Sequence, residues 1–229
     1  MQSLQRRDET SASPDKIEPA QTVTPNSSVA YRAAKRALDI AASALGMIVL
    51  SPLFLLTALA IKIEDPKGKV FYHQPRIGKN GTTFSCHKFR SMYANADEIK
   101  SSLMAQNEMD GPVFKIRQDP RITKVGRIIR KLSIDELPQL YNVLKGEISL
   151  VGPRPLPVEE ELACNAYQRQ RELVKPGITC YWQISGRNDI SFDQWIELDF
   201  KYIREQSLWT DLKILLKTVP AVLSTRGGY

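Results

Sequence analysis

The sequence predicts an α+β fold, a small mixed domain with an apolar helical segment ahead of it. Three observations lead there. Stretches with helical and strand periodicity are interspersed without the regular alternation of βαβ units. No internal repeat, GxGxxG or P-loop is present. Residues 40–61 form one uncharged run of 22 residues. With 229 residues, the chain has room for one domain of ordinary size plus appendages. Its net charge of +7, from 32 basic and 25 acidic side chains, points to an anionic partner: nucleic acid, phosphorylated metabolite or membrane surface. Cys86, Cys164 and Cys180 are odd in number and scattered. They have no CxxC spacing and no pairing with His73 or His87, so zinc is not expected and a reduced environment is.

Residues 1–30 are rich in Ser, Thr, Pro and Gln and lack apolar periodicity. They are read as a disordered tail without a secretory signal. The apolar run follows, and residues 31–63 are expected to form a membrane helix-break-helix. As a straight helix the run would be about 33 Å long, enough to span a bilayer. Ser51 and Pro52 sit at its midpoint, where Pro removes a hydrogen bond and Ser can satisfy a freed carbonyl. Both flanks are basic: Arg32, Lys35 and Arg36 before, Lys62, Lys67 and Lys69 after. A spanning helix shows a one-sided bias. The residues alone therefore leave two topologies open, a kinked span and a re-entrant hairpin with Asp39 and Lys62 near the headgroups.

Residues 64–229 form the cytosolic unit. Strands are expected at 70–75 and 82–89, joined through Asn80-Gly81. Ile99 and Leu103 suggest a helix over 93–108, and Asp110-Gly-Pro ends it. Residues 115–131 carry seven cations against one Asp. Within them Thr123 is placed to cap a helix bearing Val125, Ile128, Ile129 and Leu132. An amphipathic helix is expected over 157–174, acidic at its start and basic at its end. A strand at 178–185 and a turn at Gly186-Arg187-Asn188 follow, then a helix over 193–205 with Trp195, Leu198 and Tyr202 on one side. In the last helix, 209–223, Leu212, Leu215, Leu216, Val219 and Leu223 face one way. With Trp209 leading, the pattern suits an interfacial helix, and a core helix equally.

Chemistry concentrates in residues 130–155. Asp135 and Glu136 are adjacent, preceded by Arg130 and Lys131 and followed by Arg154 between two prolines. Arg grips phosphate oxygens in a fork, and a carboxylate can hold Mg²⁺ or attack phosphorus. The same residues have a structural reading. Ser133-Ile-Asp-Glu136 is a capping box, and Asp135 could instead be the cap, which would place Pro138 in a first helical turn; Gly146 then closes that helix.

Motifs along the chain agree on a family. They are Ser51-Pro52 within the apolar run, Gln74-Pro-Arg76-Ile-Gly78, Lys88-Phe-Arg90-Ser-Met92, Asp119-Pro-Arg-Ile-Thr-Lys-Val-Gly-Arg127, Leu132-Ser-Ile-Asp-Glu-Leu-Pro-Gln139, Leu150-Val-Gly-Pro-Arg-Pro155, Lys175-Pro-Gly-Ile-Thr179 and Trp182-Gln-Ile-Ser-Gly-Arg187. In this order they resemble the monotopic phosphoglycosyl transferases, bacterial sugar transferases that prime polysaccharide assembly on polyprenyl phosphate. The resemblance covers residues 31–229 and is greatest to the short members that initiate exopolysaccharide synthesis. It implies transfer of hexose-1-phosphate, galactose or glucose, from a UDP-sugar to undecaprenyl phosphate with release of UMP. It implies a ping-pong route through a phosphosugar on Asp135, with Mg²⁺ held by Asp135 and Glu136. Lys88, Arg90, Arg130 and Arg154 become phosphate or substrate ligands. Ser51-Pro52 matches the kink of a re-entrant helix and favours that topology, with the protein monotopic on the cytoplasmic face of the bacterial inner membrane. Inner-membrane lipids are then partners and nucleic acid is not; a homodimer and downstream glycosyltransferases are compatible. Cys180-Tyr181 departs from the family, whose members have Gly and an aliphatic residue there. Two rival classes stand beside this reading, a non-catalytic membrane scaffold and a membrane-anchored basic anion-binding protein.

Overall fold

The computed structural model describes residues 22–96, 98–185 and 190–223. The turn expected at Gly186-Arg187-Asn188 and residues 1–21 lie outside them. Residues 22–28 are fastened to the domain: Val23 is buried, its amide donates to Gln170 Oε1 at 2.8 Å, and the Asn26 side chain donates to the Gln206 carbonyl at 2.9 Å. Helix α1 (Val29–Val49) is followed after Leu50 by α2 (Ser51–Glu64), with a bend of 59°. The bend has the cause the sequence suggests. Pro52 has no N–H for the Ile48 carbonyl, and the Ser51 hydroxyl donates to that carbonyl instead, at 2.8 Å. Leu45, Ile48, Val49, Leu55 and Leu56 are exposed around the break.

The N-terminal half of α1 behaves differently from expectation. Asp39, expected near the headgroups, is buried against the domain and accepts from Ser149 Oγ and the Leu150 amide, both at 3.0 Å. Lys35 donates to Asp211 at 2.8 Å. Arg36 donates to the Val143 and Leu144 carbonyls at 2.6 and 2.7 Å, satisfying the end of a neighbouring helix. Two of the three upstream cations thus serve the domain. Their contribution to a basic flank is secondary.

Strands β1 (Phe71–Ile77) and β2 (Thr83–Phe89) form an antiparallel hairpin. The chain reverses through Asn80 and Gly81, both at positive φ. The helix expected over 93–108 reduces to a 3₁₀ turn at Ser101–Gln106. Asn107 bonds instead to the backbone of Met109, Val113 and Lys115, a local competition that polar side chains win where the apolar stripe is narrow. Helix α3 (Lys124–Lys131) has Thr123 as its cap, accepting from the Gly126 amide at 2.8 Å. Helix α4 (Gln139–Lys145) ends at Gly146 with φ 82°, as expected.

Strand β3 (Ser149–Val151) pairs in parallel with β4 (Gly177–Thr179). The expected helix over 157–174 splits into α5 (Val158–Leu162) and a 3₁₀ turn, Gln168–Leu173. Asn165 and Gln168 exchange reciprocal side chain–amide bonds at 2.9 and 3.0 Å, which starts a new turn and interrupts the periodicity. The expected strand at 178–185 stops after three residues, and α6 (Tyr181–Ile184) takes its place, since β3 offers no partner beyond Val151. Helix α7 (Phe192–Arg204) carries a capping box at Ser191 and Gln194. Helix α8 (Leu208–Leu223) has one side in the core and one apolar side exposed. Asp211 and Ile214 face the core, while Trp209, Leu212, Leu216 and Val219 are exposed. The architecture is therefore mixed helix and strand, with two small sheets among the described residues and a main core around Phe84, Cys86, Val143, Ile148, Phe200 and Ile203.

Candidate active site

The hairpin sets one wall. Register pairs Tyr72 with Lys88 and Arg76 with Phe84, so alternation puts Lys88 on the face that carries buried Phe84 and Cys86. Asn142 locks this wall to α4. It donates to the Ser85 carbonyl at 2.7 Å and accepts from the His87 amide at 3.0 Å.

The acid pair sits on a 3₁₀ turn, Ile134–Glu136, entered through Ser133 at φ 55°. Left-handed Ser133 turns the chain away from α3, and α4 starts only after Pro138. Ser133 makes no side-chain cap bond, and Asp135 is not the cap of α4. Both structural readings of the pair therefore fail. Arg154 arrives from β3 through Gly152. A Cβ on Gly152 would lie 2.4 Å from the Lys175 carbonyl, so only glycine lets the two crossings approach. The flanking prolines hold the backbone extended.

Glu136 is clamped. Arg154 grips it with a fork, 2.6 Å to Oε1 and 3.2 Å to Oε2, and Lys88 Nζ lies 2.8 Å from Oε1. Burial alone would raise its pKa, but Arg154 and then Lys88 hold it well below the usual carboxylate range. Asp135 is treated oppositely. It is buried, and among the described residues no side chain or amide donates a hydrogen bond to it. Burial first, and the charge of Glu136 second, push its pKa up; Lys88, Arg130 and Arg154 only partly oppose this. Two neighbouring carboxyls are thus driven apart in proton affinity.

Both acids line a cleft of about 580 Å³ together with Lys88, Arg90, Arg130, Arg154 and Trp182. Arg130 reaches it from α3. Arg90 lines it too, but its guanidinium pairs with Asp65 just after α2 and donates to the Asp65 carbonyl at 3.2 Å. This ties the apolar helices to the hairpin and leaves Arg90 less available to a phosphate than expected. Ser51 and Pro52 lie away from the cleft, at the bend.

Residues absent from the expected site also contribute. Arg76, buried on β1, donates to the Pro155 carbonyl and holds the Pro-Arg-Pro segment in place. Asp119 and Arg121 pair at 2.6 Å in the cleft wall, and Arg121 lies over Phe114, 5.1 Å from the ring centre. Both belong to motifs visible in the sequence, yet spacing gives no sign that they converge on residues 135 and 154.

No group of three or more His, Cys, Asp or Glu side chains is gathered among the described residues. The acid pair nevertheless fits a hard cation. Asp135 is buried, lines the cleft and has no hydrogen-bond donor among the described residues, so ligating a cation would relieve its burial penalty.

Residues 30–225 match the model of the family described as bacterial sugar transferase. Galactosyl transferase CpsE of Streptococcus agalactiae is 48% identical over 196 residues, covering 85% of this chain and 43% of that protein. The exopolysaccharide production protein ExoY of Sinorhizobium fredii is 46% identical, covering 85% and 88%. The undecaprenyl-phosphate galactose phosphotransferase of Salmonella typhimurium is 44% identical, covering 85% and 41%. The chain spans under half the length of the streptococcal and Salmonella relatives and most of the rhizobial one. With the match running through the apolar helices, the hairpin, the acid pair and the Pro-Arg-Pro segment, the chain belongs to the bacterial sugar transferase family.

Proposed function

We propose that the protein transfers hexose-1-phosphate from a UDP-sugar, galactose or glucose, to undecaprenyl phosphate, the first membrane step of exopolysaccharide synthesis. One observation carries the reading: two adjacent carboxyls share a cationic cleft, one clamped by Arg154 and Lys88, the other buried without a donor among the described residues. The relatives named above as galactose and undecaprenyl-phosphate transferases support the substrate classes.

Asp135 is the nucleophile. An oxygen of its carboxylate forms a bond to the sugar-bearing phosphorus, and the bond from that phosphorus to the bridging oxygen breaks, releasing UMP with the electron pair. The phosphate of the lipid then attacks the same phosphorus and returns the carboxylate. Its raised proton affinity makes Asp135 a stronger nucleophile once ionised. Arg154, Lys88 and Arg130 offset the charge that builds on the phosphoryl oxygens. Glu136 keeps Arg154 and Lys88 in place, and needs no role as base because the acceptor is already an anion. Mg²⁺, held by Asp135 and Glu136, would supply further charge neutralisation.

The protein acts as a monotopic enzyme on the cytoplasmic face of the inner membrane. No single described helix is long and apolar enough to cross a membrane, whereas the bent pair α1–α2 passes by length and composition. Its exposed apolar tip and the outward face of α8 are surfaces suited to lipid. The test of the reaction is incubation with UDP-galactose, UDP-glucose and UDP-N-acetylhexosamines, with and without undecaprenyl phosphate, scoring UMP. Release from a UDP-hexose is expected; use of N-acetylhexosamines alone overturns the donor, and no release at all favours the scaffold. For topology, single cysteines at exposed Ala33 and Lys67, in a background without the native cysteines, should label from one side. Gly68 is unsuitable, because a Cβ there would meet the Arg90 guanidinium at 2.1 Å. Opposite-side labelling would refute the hairpin.

A further inference from the structure

Arg154 heads a set of four stacked groups, and the reaction scheme does not use the other three. The Arg154 guanidinium sits over the Trp182 indole, 5.6 Å from its centre. Trp182 stacks on Trp195 with centroids 4.3 Å apart and planes 14° off parallel. Arg171 lies over Trp195, 5.5 Å from that ring. Arg171 is buried and paired with Asp199 at 2.8 Å and Glu161 at 3.5 Å. Its guanidinium also donates to the carbonyl of Arg154 itself. The column closes on one residue, holding Arg154 by its backbone at one end and by its charged plane at the other.

Arg154 needs such support. Its fork is oriented by Glu136 while the cleft is empty of substrate, but a phosphate drawing that fork away would leave a long, rotamer-rich side chain free to wander. A stacked indole fixes the guanidinium plane without competing for its N–H groups. A second indole backed by a permanent cation fixes the first, since Arg does not lose its charge.

We infer that Trp182, Trp195 and Arg171 are positioning residues for Arg154, setting the plane in which it meets the transferring phosphoryl group. This rests on the functional reading above. Arg171 lies outside the cleft, so an effect of its substitution on turnover is transmitted. A rival role for Trp182 and Trp195, direct stacking on the donor's base, predicts a different pattern.

The test is a double-mutant cycle between Arg154→Lys and either Trp195→Leu or Arg171→Lys, measured as kcat and KM for UMP release, with thermal melting to establish folding. Trp195→Phe, which keeps an aromatic face, is the conservative control and the fallback should Trp195→Leu not fold. Column variants are expected to lower kcat about 10-fold with KM for the UDP-sugar within about 2-fold. Trp195→Phe should recover most of that loss. In the Arg154→Lys background the column variants should have little further effect. Additive losses, or a rise in KM alone, overturn the inference. The same cycle is read on inorganic pyrophosphate affinity by calorimetry, which needs no turnover. If wild type releases no UMP, the functional reading fails and the pyrophosphate cycle still judges the column. Uncoupled affinities, or no pyrophosphate binding by wild type, overturn it.

Discussion

Two acid pairs among the described residues, one at the cleft and one in the interior, make an instructive contrast. Asp135 and Glu136 open onto the cleft and are faced by Lys88, Arg130 and Arg154. Glu161 and Asp199 are sealed inside with Arg171 for company. In the first pair only Asp135 has a raised proton affinity, whereas in the second burial raises both carboxyls. Asp199 is pushed up to about 6 by burial, which outweighs the attraction of Arg171. A perturbed carboxyl is therefore not by itself a reactive one. What separates the two is access, together with an excess of cations placed where phosphate charge would arrive.

The sharpest way to break the comparison is Asp135→Asn, which keeps size and removes charge. UMP release should fall by roughly three orders of magnitude or more, as expected for loss of a covalent nucleophile. Mass spectrometry of wild type mixed with UDP-sugar alone should show a hexose-phosphate adduct on the peptide containing Asp135. UMP release that strictly requires the lipid, with no adduct trapped, would instead favour direct transfer.

Glu136→Gln comes next. It leaves Arg154 and Lys88 without their anion, and kcat should fall on the order of 10²-fold, the scale for losing one oriented charge contact. A variant with normal turnover would mean that the clamp is dispensable. A smaller effect concerns pH. Asp135 must be ionised to attack, and its folded-state pKa is raised, so activity should be lost as pH falls through a value above the ordinary carboxylate range. A pre-steady-state profile of UMP release that stays flat down to pH 4 would contradict this.

The sealed pair should report mainly on stability, with at most a small effect on turnover through Arg171. Because the folded-state pKa of Asp199 is raised from 3.8 to about 6, the folded chain binds the extra proton. Its contribution is most favourable below about pH 4 and is lost as pH rises to about 6. Asp199→Asn should flatten that part of the stability profile, by on the order of 3 kcal/mol, while turnover at neutral pH stays within a few-fold. A loss as large as that of Asp135→Asn would erase the distinction drawn here.

How much of this was legible follows from the range of the interactions. The apolar run, the Ser51-Pro52 break, the β1–β2 hairpin, the Thr123 cap, the Gly146 stop and helix α7 are local, and composition with short-range spacing reveals them. The adjacency of Asp135 and Glu136 and the proline-flanked Arg154 are likewise visible in the chain, and with them the family. Other features were decided by partners far away in sequence. Asp39 and Arg36 read as interfacial charges but are claimed by β3 and α4. The helix over 157–174 breaks at Asn165 and Gln168, and the strand after Thr179 has no neighbour to pair with. Residues 88, 136 and 154 meet across three separate elements. Which of two adjacent carboxyls is clamped and which is left without a donor depends on that meeting, because charge interactions in a buried site are set by distances and desolvation that no spacing along the chain encodes.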